Sequence, residues 1–231
     1  MAIHPVSLSD RPDGADECAV DVFADVLRAV RFSTLFFGRF ELGAPWAMRV
    51  PRKPTSSFYV VAAGGLRLEV EGEGALHLSA GEVVLLPGGP AHVLDDGARP
   101  APRGFVTPAP LGARPPGPVR LGGPGPVTTL VSGCFRLEAG GGHPLLRALP
   151  RVVRLRARGA GAAPGLAATV ELIALESEAP GPGSEVVLGR LADVLLVHAL
   201  RARGAGGGEA GLRALADPAV GAALGLLHAR P

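Results

Sequence analysis

The chain has 231 residues, of which 47% are hydrophobic, and this is enough to build one large domain or one domain with a helical appendage. Its 23 basic and 21 acidic side chains leave a net charge of +2, and the arginines are scattered, so the charge gives no indication of nucleic-acid binding. Cys18 and Cys134 lie far apart without a CxxC spacing, which indicates neither a disulfide framework nor a zinc knuckle. The sequence shows no secretory signal and no bilayer-spanning apolar stretch, and we therefore expect a cytoplasmic protein without membrane contact.

The first part of the chain predicts a flexible leader, a helix and then a series of strands. Residues 1–19 are polar, and Val20–Val30 carries apolar residues at spacings of three and four, the stripe of an amphipathic helix. From Thr34 onward, short segments rich in aromatic and β-branched residues are separated by Gly and Pro, as strands are by turns. These segments read LFFGRFEL, WAMRV, SFYVVAAG, LRLEVEG, ALHLS, GEVVLLP and AHVL. Strands at such short spacing favour an antiparallel barrel or sandwich.

The strand pattern is interrupted once before it ends. Residues 97–126 are rich in Pro, Gly and Ala with few large apolar side chains, and we expect a long mobile loop there. The pattern resumes at Val127–Leu137, and the segment RVVRLR that follows Pro150 adds one more strand. Residues 20–160 are thus predicted to form one barrel domain that is completed beyond the loop.

Helices follow the barrel. Residues 161–204 are predicted as a helical segment, in which one helix has Pro164 in its first turn and a second runs from about Ser184 to Arg203. The apolar faces of these helices either cover the barrel or pair with a second subunit. Residues 205–216 are rich in Gly and predict a linker.

A last helix is predicted over residues 217–231. Asp217 is a natural N-cap, and Pro218 suits the first helical position because its missing N–H has no partner to lose there. The apolar stripe of this segment consists of Val220, Ala223, Leu224 and Leu227.

The most informative segment is Gly81–Asp96, GEVVLLPGGPAHVLDD, which indicates a short buried strand, a proline-glycine corner and a histidine on the returning strand. In outline it spells G-x5-P-x-G-x2-H, ending at His92. This spacing resembles the second conserved motif of the cupin family, whose double-sheet barrels close around a central pocket. The resemblance implies a mainly β fold with α, a cupin-like double-stranded β-barrel (jelly roll) followed by the C-terminal helical segment.

The order of segments is similar to the cupin-type effector-binding and dimerisation half of AraC-family transcriptional regulators. The segments that carry this resemblance are PWAMRV, SFYVVAAG, LLPGGPAHVLDD, LVSGCFRL, HPLLRALP and ADPAVGAALGLLHARP. In that family the last of them begins the DNA-binding domain. The resemblance therefore implies that 217–231 is the first helix of a truncated DNA-binding domain, in either a shortened regulator or a natural orphan. DNA contact would need helix-turn-helix units that this chain lacks.

An effector site in the barrel is expected to use Trp46, Tyr59 and His92, which offer aromatic surface and a few polar groups. Strand alternation points Phe58 and Tyr59 to opposite faces, so at most one lines the interior. We expect it to be Tyr59, because its hydroxyl can meet a ligand or His92. Arg67 either pairs with an anionic effector or is a solvated surface residue.

A metal centre is the alternative use of His92. The first motif of metal-binding cupins supplies two more histidines and a glutamate, whereas the comparable strand here has Tyr59 and, further along, Ala63. The resemblance therefore implies no catalytic metal, and no cofactor is assigned. A zinc site built from His92, Cys134 and His143 stays open, because imidazole and thiolate suit zinc. In the competing interpretation Cys134 is a small buried hydrophobe and His143 caps a turn.

Three functions remain after these observations. The leading hypothesis is a non-enzymatic sensor module that binds a small effector in the barrel, forms a homodimer, and controls DNA-binding halves absent from this chain. The rival is a small cupin enzyme in which His92 is a metal ligand or a general acid and base. The third is a structural dimerisation module with an empty pocket.

Overall fold

The structure, a computed structural model, describes residues 32–98, 117–137, 149–159 and 161–205. These residues form ten strands followed by two helices, which confirms the predicted mainly β fold with a helical C-terminal segment. The strands are β1 Phe32–Gly43, β2 Ala47–Val50, β3 Ser56–Ala63, β4 Gly65–Val70, β5 Ala75–Ser79, β6 Glu82–Leu86, β7 His92–Asp95, β8 Val119–Gly122, β9 Val127–Leu137 and β10 Val153–Arg156. The helices are α1 Leu166–Glu178 and α2 Ser184–Ala205.

The strands form two facing sheets. The larger has the order β10-β6-β3-β9-β1-β8 and the smaller has the order β2-β7-β4-β5. All neighbouring strands are antiparallel except β1 and β8, which run parallel. The order of the smaller sheet brings β7, the strand that follows the proline-glycine corner, between β2 and β4.

The larger sheet is buried on both of its faces, because its central strands have apolar side chains at odd and even positions alike. One face meets the smaller sheet and forms the interior of the barrel. The interior cluster consists of Phe40, Leu42, Trp46, Met48, Val50, Tyr59, Val61, Leu66, Leu68, Val70, Leu78, Val84, Leu86, Leu94 and Leu130. The other face packs against the helices, and its strand residues are Phe58, Val60, Val83, Leu85, Val131, Phe135, Val153 and Leu155.

The two helices lie antiparallel over the outer face of the larger sheet. Helix α1 buries Leu166, Thr169, Val170, Ile173 and Ser177, a set spaced by three and four residues. The prediction for Pro164 was wrong: α1 begins two residues later, because Gly165 adopts a left-handed conformation with φ of 77° and precedes the first helical residue. Helix α2 begins at Ser184 as predicted, and the Ser184 Oγ accepts a 2.7 Å hydrogen bond from the Gly181 N–H.

The segment that we expected to be a loop, 97–126, contains a strand. Strand β8 pairs in parallel with the end of β1, and Arg120 forms a 2.8 Å ion pair with Glu41. The sequence analysis missed β8 because the strand has only four residues and stands in a segment rich in Pro and Gly, although Val119 and Leu121 alternate with polar neighbours and pack against the interior. The Gly123 N–H donates a 2.7 Å hydrogen bond to the Gly43 carbonyl. The predicted leader, the helix at 20–30, residues 99–116 of the loop, the linker from 206 on and the helix at 217–231 lie outside the described residues.

Two glycines of the proline-glycine corner differ in their surroundings, although both have positive φ. Gly88 has φ of 69° with open space around a built Cβ, whereas Gly89 has φ of 56° and a Cβ there would overlap the carbonyl oxygens of Lys53 and Thr55. The corner and the 51–55 loop are also joined by a 3.0 Å hydrogen bond from the Lys53 N–H to the Gly89 carbonyl. Gly89 therefore fixes the corner against the neighbouring loop and sets where His92 emerges.

Replacement of these two glycines should have unequal effects. Gly88→Ala is expected to lower the free energy of unfolding by about 1 kcal/mol, because the only cost is that of a Cβ on a residue in the left-handed conformation. Gly89→Ala adds overlap with backbone atoms and should cost at least about 3 kcal/mol. Urea unfolding of both variants measures the difference. Equal costs would show that the contact with the 51–55 loop does not constrain the corner.

Candidate functional site

The candidate site lies where β3 and β7 face each other across the barrel interior. As predicted, alternation along β3 separates Phe58 from Tyr59: Phe58 packs in the outer core, with its ring centroid 5.0 Å from that of Phe135, and Tyr59 belongs to the interior cluster. His92 is the first residue of β7, directly after the corner, and only 3% of it is exposed. The corner thus directs the imidazole inward, toward β3.

Tyr59 and His92 form a buried hydrogen-bonded pair. The Tyr59 Oη lies 2.6 Å from His92 Nε2, and His92 Nδ1 lies 2.8 Å from the Pro90 carbonyl oxygen. Because a carbonyl can only accept, Nδ1 carries the proton, and Nε2 then accepts the Tyr59 hydroxyl proton. The two rings meet edge to face with centroids 5.4 Å apart. Both ring nitrogens of His92 are therefore in use within the protein.

Burial keeps both members of this pair neutral. It lowers the pKa of His92 to about 4, helped by the positive charge of Lys53 and opposed by the hydrogen bond to the Pro90 carbonyl. Burial also raises the pKa of Tyr59, while the nearby Ser57 hydroxyl acts in the opposite direction. At neutral pH the site thus presents a neutral imidazole and a neutral phenol.

A row of small polar side chains lies beside the pair and was missed by the sequence analysis. In the register of β3 with β9, Ser57 is opposite Cys134 and Tyr59 is opposite Ser132, and all four residues are buried. The signal was available in the sequence, because Ser57 shares the face of Tyr59 by alternation and Ser132 shares that of Cys134. Together with His92, this row makes one end of an otherwise apolar interior polar.

Trp46 is separated from the other two predicted effector residues. In the register of β2 with β7, His92 is opposite Val50, so Trp46 lies about 13 Å away along β2 at 3.3 Å per residue. The indole is buried with the interior cluster, and its Nε1 has no hydrogen-bond partner within the described residues. The structure therefore brings Tyr59 and His92 together and places Trp46 near the opposite end of the strand.

Arg67 is not the solvated surface residue that one of the two sequence interpretations expected. Its guanidinium donates a 2.8 Å hydrogen bond to the Asp95 carboxylate on β7, and it also pairs with Glu69. Only 8% of Arg67 and 1% of Asp95 is exposed. The charge of Arg67 is therefore already balanced inside the fold.

The described residues do not fit a cupin metal centre. Among residues 32–98, 117–137, 149–159 and 161–205, no three His, Cys, Asp or Glu side chains are grouped so that they could hold a metal ion. The ring nitrogens of His92 are engaged by Tyr59 and Pro90, and Cys134 is a buried free thiol. His143, the third ligand of the zinc hypothesis, lies outside the described residues, and that hypothesis stays a prediction.

A separate cavity of about 300 Å³ lies outside the barrel, between the larger sheet and α1. It is a groove with a floor of small side chains and two charged residues at its rim. Its lining residues are Ala62, Ala80, Gly81, Ala157, Arg158, Ala167, Val170, Glu171 and Ala174. Nothing in the sequence pattern pointed to this groove, because it is made from four separate elements.

Two facing sheets around an apolar interior, with a histidine entering after a proline-glycine corner, define a small double-sheet barrel. A family model described as cupin matches residues 21–203, which is most of the chain. The chain belongs to the cupin family. The cupin-type domain predicted from the sequence is thereby confirmed.

Solved structures that resemble this chain include YhaK from Escherichia coli and ToxT from Vibrio cholerae. YhaK is 11% identical with a TM-score of 0.34, and the match covers 56% of this chain and 52% of YhaK. An apo ToxT variant is 9% identical with a TM-score of 0.42, covering 73% of this chain and 56% of ToxT. ToxT bound to an unsaturated fatty acid is 8% identical with a TM-score of 0.39, covering 73% and 53%.

This chain thus spans about half the length of the solved structures that it matches. No curated protein matches its sequence. Neither described helix has the length and hydrophobicity that a membrane-spanning segment needs.

The depressed pKa of His92 predicts an acid-sensitive fold. Since the folded pKa of about 4 lies below the ordinary 6.5, the unfolded chain binds the proton more readily, and stability present above pH 6.5 is lost as the pH falls toward 4. This contribution amounts to about 3 kcal/mol between pH 7.5 and 4. Urea unfolding across this range should show the loss in the parent protein and in His77→Gln, which changes an exposed histidine, and a loss smaller by about this amount in His92→Gln, where His198 and Glu82 still titrate. The same pH slope in His92→Gln would contradict the assignment.

Proposed function

We propose that this cupin domain is the ligand-sensing and dimerisation part of an AraC-family transcriptional regulator, which binds a small effector in the barrel and controls DNA-binding units supplied outside residues 1–231. The observation that carries the proposal is the buried, neutral Tyr59–His92 pair at the polar end of an apolar interior. An interior of this kind suits a mainly apolar ligand with one or two polar groups. The protein would then act in the cytoplasm, without a membrane partner.

The pair offers a ligand one hydrogen-bond donor and one acceptor, both uncharged. If a ligand replaces the mutual contact, the Tyr59 hydroxyl can donate to it and the His92 Nε2 can accept from it. A ligand hydroxyl satisfies both groups at once, whereas an aliphatic group would leave two buried polar atoms without partners. We therefore expect an effector with a hydroxyl group, or a carbonyl and a hydroxyl, at this end.

The same sheet connects the interior to the helices. Tyr59 faces the interior while its neighbour Phe58 packs beneath the helices, and the same alternation holds along β6. Since the interior side chains are buried, an entering ligand has to displace some of them. Only one sheet separates the interior from the helices, so this displacement is transmitted to the side chains that pack against the helices. A shift of the helix layer follows only if the ligand binds the two arrangements with different affinity.

An enzymatic role has less support. A general acid or base works best with a pKa near the operating pH, and the pKa of His92 is held near 4. The polar groups around it within the described residues are hydroxyls, a thiol and the positive charge of Lys53, without a paired carboxylate. The neutral pair therefore favours ligand recognition over proton transfer.

Effector binding can be followed through Trp46, the only tryptophan of the chain. A panel of small hydroxylated and carbonyl compounds should contain one that changes the Trp46 emission, and Tyr59→Phe should weaken its binding about tenfold through loss of a hydrogen bond worth about 1.4 kcal/mol. His77→Gln is the matched control and should bind normally. Unchanged affinity in Tyr59→Phe, with its fold verified by thermal unfolding, would contradict the site.

Sequence-specific DNA binding by residues 1–231 alone would contradict the regulatory assignment.

The homodimer is proposed to form through the exposed apolar side chains of the helices. Leu172 and Leu175 on α1 are 52% and 59% exposed, and Val186, Val187 and Val194 on α2 are also exposed. Large exposed apolar side chains at neighbouring positions, such as Leu172 and Leu175 one turn apart, often mark an association site.

The double change Leu172→Glu and Leu175→Glu should convert a dimer to a monomer, because it places charges in the contact. Light scattering coupled to size exclusion measures the mass directly. Ala75→Glu adds a charge at an exposed position of β5, on the smaller sheet and away from the helices, and serves as the control. A monomeric parent protein at high concentration, or a dimer that survives the double change, would contradict the proposed interface.

A further inference from the structure

The groove outside the barrel is lined mostly by small apolar side chains, which suits the docking of another segment. Its floor is made of Ala157 and Val170, and alanines from β3, the β5–β6 turn and α1 form its walls. Small side chains allow another backbone to approach closely and bury apolar surface. A volume of about 300 Å³ can accept several apolar side chains from a partner segment.

The rim of the groove carries one charge of each sign. Arg158 lies beyond the end of β10 and Glu171 lies in the second turn of α1, and both are exposed. Neither forms an ion pair with another residue of the described ranges. The rim therefore suits a partner with an acidic residue near one end of its apolar stripe and a basic residue near the other.

The end of α2 lies close to this groove. Helices α1 and α2 are antiparallel: the Ser184 Oγ contacts Glu176, and a Cβ built on Gly165 would lie 3.4 Å from the His198 ring. The last turns of α2 therefore pass the beginning of α1. A 3.2 Å hydrogen bond from the Ala163 N–H to the Arg156 carbonyl ties the end of β10 to the same place, so Arg158 lies at this end of the groove. Residues 206–216 can span up to about 36 Å when extended, so whatever follows them can reach the groove.

We propose that residues 217–231 of the same chain bind in this groove. The apolar stripe of this segment consists of Val220, Ala223, Leu224 and Leu227, and the segment has an acidic residue, Asp217, at its start and a basic one, Arg230, near its end. Since the chain arrives from the Arg158 end, Asp217 pairs with Arg158 and the segment runs toward Glu171. The consequence is a latch that holds this segment on the cupin domain. The latch goes beyond the proposed function and holds whether or not the barrel binds a ligand.

Hydrogen exchange of the full chain, read by mass spectrometry on peptides from 217–231, tests the latch. In the parent protein the amides of this segment should exchange at least tenfold more slowly than in the isolated peptide. Arg158→Glu should remove most of this protection, and the charge-reversed pair Arg158→Glu with Asp217→Arg should restore it. Ala167→Trp fills the groove and should also remove protection, whereas Ala168→Trp, on an exposed face of α1 outside the groove, should not.

The exchange of β3 and β6 peptides reports whether each variant is folded, and Arg158→Glu changes an exposed side chain, so the test does not depend on Ala167→Trp. Protection of 217–231 that is the same in Arg158→Glu as in the parent protein would overturn the proposal. So would exchange at the rate of the isolated peptide. Protection that disappears on dilution would also overturn it, because the occupant would then be a second copy of the chain.

Discussion

The fold depends on a single sheet that is buried on both faces. Strands β3 and β6 place apolar side chains on the barrel side and on the helix side in alternation, so neither core can form without the other. The larger sheet is thus a wall shared by two hydrophobic layers. This arrangement explains why all five residues of β6 are buried, including Glu82 at its start.

The polar end of the interior is tolerated because its groups satisfy one another. A buried imidazole costs free energy unless both ring nitrogens are paired, and the Pro90 carbonyl and Tyr59 hydroxyl provide the two partners. The carbonyl is available at the right place only because the proline-glycine corner turns sharply before β7. Backbone geometry at Gly89 and the protonation of His92 are therefore linked through the Pro90 carbonyl.

Much of this could be predicted from the sequence, and the failures have definite physical causes. Strand period and turn residues predicted the seven strands before residue 98, the inward position of Tyr59 and the corner at His92. Periodicity tells which face a side chain occupies but not how far along the barrel it lies. Trp46 was therefore grouped with Tyr59 and His92, although His92 lies opposite the far end of β2. Strand β8 was missed because its four residues stand among prolines and glycines, where so short an alternation is not distinctive. Arg67 is paired with a carboxylate 28 positions further along the chain, and a pattern of neighbouring residues cannot reveal so distant a partner.

The lengths of the edge strands have a consequence for how this domain can associate. The outermost strands of the two sheets are β10, β8, β2 and β5, and none of them exceeds five residues. An incoming chain that paired with one of these four strands would find at most a few backbone groups, and on β10 it would meet the arginines that bind Glu82. Growth of the sheets from copy to copy through these four strands is therefore disfavoured, and the proposed dimer uses the helical layer instead.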